Sequence, residues 1–203
     1  MAVYHYHDDL PDGLALGQSV AIDTETMGLK LTRDRLCLVQ LSSGDGNAHL
    51  VQIAAQPNPA PNLKALLANP DIGKIFHFGR FDLAVLMREF GEINGHIYCT
   101  KIASKLARTY TDRHGLSELA RELLNIDMSK QQQSSDWGRD TLSEAQLTYA
   151  ASDVLYLHQI ADRLAEMLAR LDRTELAEAC FAFLHHRVRL DLAGFDDVDI
   201  FHH

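Results

Sequence analysis

The sequence predicts an α/β protein, a central sheet covered by helices. Three observations predict it: short apolar runs dominate the first fifty residues, strand-like and helix-like runs then alternate, and from residue 101 the apolar spacing is helical throughout. In chain order, residues 19–24 read as a buried strand and residues 35–42 as a second. Gly44, Asp45, Gly46 and Asn47 turn the chain into a third strand over 48–53, which makes a three-strand meander. Three prolines mark 56–62 as a loop, and 63–68 read as a short helix stopped by Asn69 and Pro70. Residues 74–78 form a strand, 80–90 a helix ended at Gly91, and 96–100 a further strand. Helices follow over 101–108 and 116–124, then one long amphipathic helix over 142–171, capped by Thr141 with Glu144. A last helix covers 175–185, and 187–203 are expected to form an extended tail packed on the body.

A chain of 203 residues forms one well-cored domain, expected to run over 1–203. Its 46% hydrophobic content with few prolines and glycines excludes a disordered or collagenous chain. Cys37, Cys99 and Cys180 are odd in number and form no C-x-x-C, which excludes a disulfide framework and a zinc ribbon and fits a reducing compartment. The N-terminus has no apolar leader pattern and no run of 18 apolar residues occurs, so the expectation is a cytoplasmic protein with no membrane partner. The net charge of −9 argues against a polyanionic ligand. Its distribution weakens that objection, because residues 1–140 carry 14 Lys and Arg against 17 Asp and Glu, whereas 141–203 carry 5 against 11.

The chemistry lies in acids lodged inside apolar runs. Asp23 and Glu25 end the first strand, and because strand side chains alternate they point to one face. Asp82 interrupts an apolar helix, and Asp153 lies on the apolar stripe of the long helix. An unpaired buried carboxylate costs several kcal/mol or takes up a proton, so each needs a partner. Hard divalent cations such as Mg²⁺ or Mn²⁺ satisfy four converging carboxylates without His or Cys ligands. Plainer readings exist for each acid alone: Asp82 as a helix-dipole residue, Asp153 as an arginine partner, Asp23 as a turn acid. With 19 Asp and 9 Glu, close to one D-x-E pair arises by chance, and Tyr4 to Asp8 is already a decoy Y-x-x-x-D.

Order and context decide between these readings. With I-D-T-E-T-M-G-L, H-F-G-R-F-D-L-A-V-L and Y-A-A-S-D-V-L-Y-L in succession, the sequence resembles the DEDDy 3′–5′ exonucleases of the RNase H-like fold, most closely the ribonuclease D group. L-C-L-V-Q-L, C-T-K-I-A-S-K-L-A-R and S-D-W-G-R-D-T-L-S-E-A-Q extend the resemblance over about residues 19–168. It implies an RNase H-like mixed sheet flanked by helices, with Asp23, Glu25, Asp82 and Asp153 as ligands of two Mg²⁺ or Mn²⁺ ions and Tyr149 as the fifth catalytic residue. It also implies hydrolysis from RNA 3′ ends with release of 5′ mononucleotides. A single-strand DNA exonuclease and a non-catalytic RNA-binding scaffold are the alternatives. Thr26 and Leu29 match positions that touch the terminal nucleotide and wedge against its base. Phe78 stands where proofreading relatives carry Asn, and the chain ends where longer ribonuclease D proteins add helical RNA-binding domains. Oligomeric state is not written in the pattern.

Tyr149 and Asp153 are four residues apart on one helix and so share a face, although Tyr149 could also be a core aromatic. A tyrosine of ordinary pKa near 10 is a poor base at neutral pH, so its task under this reading is to orient water and relay a proton. Lys101, Lys105 and Arg108, spaced i, i+4, i+7, form a stripe that could track phosphates or be a solvated face. Lys130 lies in a polar loop with Gln131 to Gln133, Trp137 and Arg139, and is a further substrate-binding candidate. Trp137 reads as core rather than as a stacking platform. His5 and His7 share a strand face but lack the further ligand spacing of a metal site, and His202 with His203 read as an exposed end.

Overall fold

The computed structural model describes residues 2–56, 59–129 and 131–202. Its six strands are β1 (Val3–His7), β2 (Ser19–Thr26), β3 (Leu36–Ser42), β4 (Ala48–Gln52), β5 (Gly73–Phe76) and β6 (Ile97–Cys99), ordered β1-β4-β3-β2-β5-β6 in one sheet. The meander is present: β2 pairs antiparallel with β3 and β3 with β4, while β5 joins β2 and β6 joins β5 in parallel. Between the parallel strands run α1 (Pro61–Ala68) and α2 (Gly79–Phe90). The remaining helices, α3 (Thr100–Ala107), α4 (Leu116–Leu124), α5 (Glu144–Leu155), α6 (Leu157–Arg170) and α7 (Thr174–Leu190), follow the sheet in sequence.

Strand alternation divides the core in two. Val20 and Ile22 of β2 pack with Leu83 and Leu86 of α2 on one face, while Ala21 packs with Ala150 and Val154 of α5 on the other. The end of β2 therefore stands between two helix layers. A register shift between Glu25 and Thr26 bends the strand there.

Five expectations are corrected. The first strand of the sheet is β1, of which the sequence showed only the shared strand face of His5 and His7; it lies at the edge, parallel to β4. Phe78 is not in a strand: β5 stops at Phe76, and Phe78 takes the left-handed conformation (φ 64°) at the start of α2. The long helix is two helices meeting at Tyr156 (φ −106°, ψ −3°), although the apolar stripe runs through the junction. Its cap is Ser143 with Gln146, not Thr141 with Glu144. Both pairs have the capping spacing, and tertiary contacts choose between them: Gln146 is buried and donates to Ser135 Oγ (2.8 Å) and the Asp136 carbonyl (3.0 Å). Finally, the C-terminal segment is not extended. α7 reaches Leu190 and continues into a π-turn over Asp191–Phe195, because buried Asp191 accepts hydrogen bonds from both Arg80 (2.6 Å) and Arg187 (2.6 Å). No helix among the described residues is long and apolar enough to cross a membrane.

Candidate active site

A cleft of about 580 Å³ opens where β2 ends, lined by Asp23, Glu25, Asp82, Tyr149 and Asp153 together with Thr26 and Leu29. The fold brings these acids in from three directions. Asp23 and Glu25 arrive on one face of β2, Asp153 comes from α5 above that face, and Asp82 reaches in from α2 on the opposite side. Carboxylate oxygens of Asp23, Glu25 and Asp153 all lie within 4.8 Å of one another. Asp82 is fixed beside them by Thr24, whose hydroxyl donates to its Oδ1 at 2.6 Å.

The electrostatics are those of an uncompensated cluster. Burial and then the charges of Asp82, Asp153 and Glu25 raise the Asp23 carboxyl well above the ordinary range. Glu25 is pushed up to about 9 by burial and by Asp153 and Asp82. Burial raises Asp82 and Asp153 to about 7 each, against the hydrogen bonds that Thr24 and Tyr149 give them. Among the described residues, no Lys or Arg is one of the groups that shift these four acids. An all-oxygen, mutually repelling set of this kind fits a hard divalent cation.

The Tyr149 hydroxyl bonds to Asp153, and burial with the neighbouring acids raises its pKa, so the phenol keeps its proton and acts as a donor. Behind it, Trp137 is buried at 3% exposure with ring centroids 6.1 Å apart, and is a core residue. The loop that carries Trp137 is tied to the sheet by Arg35, which donates to the Gly138 carbonyl (3.2 Å), and by Gln52, which donates to that of Arg139 (2.8 Å).

At the mouth, Leu29 is 82% exposed, and Thr26 donates to the Gly28 carbonyl at 2.6 Å. Lys101 reaches the cleft with its ammonium 4.0 Å from the centre of the Phe78 ring. Lys105 is exposed but faces the neighbouring cavity. Arg108 is a correction: its side chain is fully buried, ion-paired to Glu122 and donating to Ser104 Oγ and the Arg113 carbonyl, so it presents nothing to a phosphate. Lys130 lies outside the described residues. Two cleft residues, Ser117 and His77, and Gln40 beside Asp23 escaped the sequence reading. Gln40, fully buried on β3 opposite Asp23, points its amide at Asp23 Oδ2 (3.5 Å). Ser117 in the first turn of α4 holds a buried hydroxyl without a partner among the described residues. His77 follows β5, and a polar ring at an apolar strand end was the available signal.

A family model described as 3′–5′ exonuclease matches residues 8–169. Ribonuclease D of Gluconacetobacter diazotrophicus is 34% identical over 165 residues, which cover 81% of this chain; the chain spans only 42% of that relative. Among solved structures, Brucella melitensis NrnC with bound Mg²⁺ is 55% identical with a TM-score of 0.95, each chain being covered completely. The same protein bound to pGG is 56% identical with a TM-score of 0.96, covering 100% of this chain and 99% of that one. Escherichia coli RNase D superposes with a TM-score of 0.73 at 28% identity, covering 84% of this chain and 45% of its own. With its acids gathered at the end of β2 in an RNase H-like α/β fold, the chain belongs to the 3′–5′ exonuclease family.

Proposed function

We propose that this protein is a metal-dependent 3′–5′ exoribonuclease that releases 5′ mononucleotides from RNA 3′ ends, with two Mg²⁺ or Mn²⁺ ions held by Asp23, Glu25, Asp82 and Asp153. The observation that carries this reading is the 4.8 Å grouping of three carboxylates with no Lys or Arg of the described residues shifting them. Bound Mg²⁺ and bound pGG in NrnC support the ion and a nucleotide ligand. When bound, the ions lower the pKa of water and stabilise the departing oxygen. The chain's residues do the rest. Asp23, Glu25, Asp82 and Asp153 hold the ions, and Tyr149, its proton retained, orients the attacking water through its hydroxyl and relays a proton. Thr26 and Leu29 position the terminal nucleotide, while Lys101 meets a phosphate at the mouth.

Digestion of matched 3′-labelled RNA and DNA tests the reading. Labelled mononucleotide should appear from RNA with Mg²⁺, should vanish with a chelator, and should be suppressed by a 3′ phosphate. Full activity after exhaustive chelation would overturn it, as would RNA binding with no release of nucleotide.

A further inference from the structure

His77 stands in the wall of the cleft with its hydrogen-bonding roles fixed by its neighbours. Thr100 is fully buried, and its hydroxyl donates its one proton to the Phe76 carbonyl at 3.2 Å. That hydroxyl can then only accept from His77 Nδ1, 2.9 Å away, so the ring proton sits on Nδ1. Nε2 is left as a bare acceptor, since the hydrogen bond the ring makes among the described residues is through Nδ1. Burial, with Lys101 and His114 nearby, pushes the ring's pKa down to about 3, which keeps it neutral at any working pH.

A neutral acceptor selects its ligand by chemistry. Phosphate oxygens only accept and would face the Nε2 lone pair without a proton between them. The donors nearest a phosphodiester held by the carboxylates are the hydroxyls of the sugars on either side; base N–H groups lie a sugar's width further off. We propose that His77 Nε2 is a specificity-determining acceptor for a sugar hydroxyl at the substrate's 3′ end. This rests on the exonuclease reading above. A ribose 2′-OH and the terminal 3′-OH share the required chemistry, and the first would let the cleft tell RNA from DNA.

The test uses short RNAs differing in one sugar, with 2′-deoxyribose at the last or next-to-last nucleotide or 3′-deoxyribose at the last, and reads each kcat/KM relative to the all-ribose strand. The wild type should disfavour the loss of one of these hydroxyls by about tenfold, the scale of one neutral hydrogen bond. His77→Asn keeps an amide against Thr100 and deletes the atom at Nε2, so that ratio should fall towards one. His77→Gln returns an amide oxygen to the Nε2 position and should restore part of it, a rescue that a purely structural role does not produce. Which sugar replacement shows the effect assigns the hydroxyl. Unchanged ratios in an active His77→Asn protein would overturn the proposal, and so would ratios that follow the terminal base instead of the sugar. A wild type that releases nucleotide from none of these RNAs would instead overturn the exonuclease reading itself.

Discussion

Asp82 and Asp191 are both buried, at 4% and 7% exposure, yet they lie in opposite surroundings. Asp191 is gripped by two guanidiniums, Arg80 at 2.6 and 2.9 Å and Arg187 at 3.0 and 2.6 Å, which knit the C-terminal turn to α2. Asp82 accepts from the Thr24 hydroxyl and from backbone groups of Thr24 and of its own residue, and has three acids but no guanidinium of the described residues for neighbours. Burial by itself therefore says little about an acid's purpose. A matched acid holds the chain together, whereas an acid left among acids is a site waiting for a cation.

That contrast is tested most severely by charge removal. Asp153→Asn should lower kcat by about 10⁴-fold or more, since under the proposed function it removes a metal ligand, while the melting temperature of the metal-free protein should rise. A variant that still turns over within tenfold of wild type would end the assignment. Tyr149→Phe should reduce kcat by roughly 10² to 10⁴ and leave Mg²⁺-induced stabilisation intact; calorimetry beside single-turnover cleavage separates these effects, and wild-type cleavage would make the tyrosine structural.

Proton linkage gives a third means. The site acids have folded pKa values raised to about 7 and about 9, above their unfolded values near 4. The folded state therefore binds more protons than the unfolded one between about pH 4 and 9. The stability these groups confer is complete below pH 4 and lost as pH rises through 7 to 9. The melting temperature of metal-free protein should fall across that window, and saturating Mg²⁺ should flatten the fall. A pH-independent melting temperature without metal would show that the cluster is not under repulsion. The smallest effect is expected at the matched acid. Asp191→Asn should destabilise by about 1.5–3 kcal/mol, the scale of charged hydrogen bonds, with Mg²⁺ affinity retained. A rise in its melting temperature would erase the distinction between the two acids.

What the sequence displayed and what it hid follow the same division between local and distant contacts. Asp23 with Glu25, and Tyr149 with Asp153, were legible because strand and helix periods alone set which side chains share a face. Strands β2 to β4 were legible from their apolar runs and the glycine turn. Arg108 was misread because helical spacing defines a stripe without saying which side faces inward; Glu122 of α4 draws that guanidinium into the protein. Gln40 depends on strand register and the C-terminal turn on a pairing between residues 80 and 191, neither of which leaves a local trace. The break at Tyr156 involves no proline or glycine, so nothing in the composition marked it.

Phe78 holds a left-handed backbone, φ 64°, that costs a non-glycine residue roughly 1–2 kcal/mol, and its ring borders both the acidic cleft and the apolar cavity of about 460 Å³ beside it. The Phe78 ring, with the Lys101 ammonium 4.0 Å from its centre, thus stands between an acidic chamber and a greasy one. Exchange of Phe78 for glycine would relax the backbone and leave Lys101 as the remaining side chain between the two chambers, so the same ring that carries the strain also shapes the cleft.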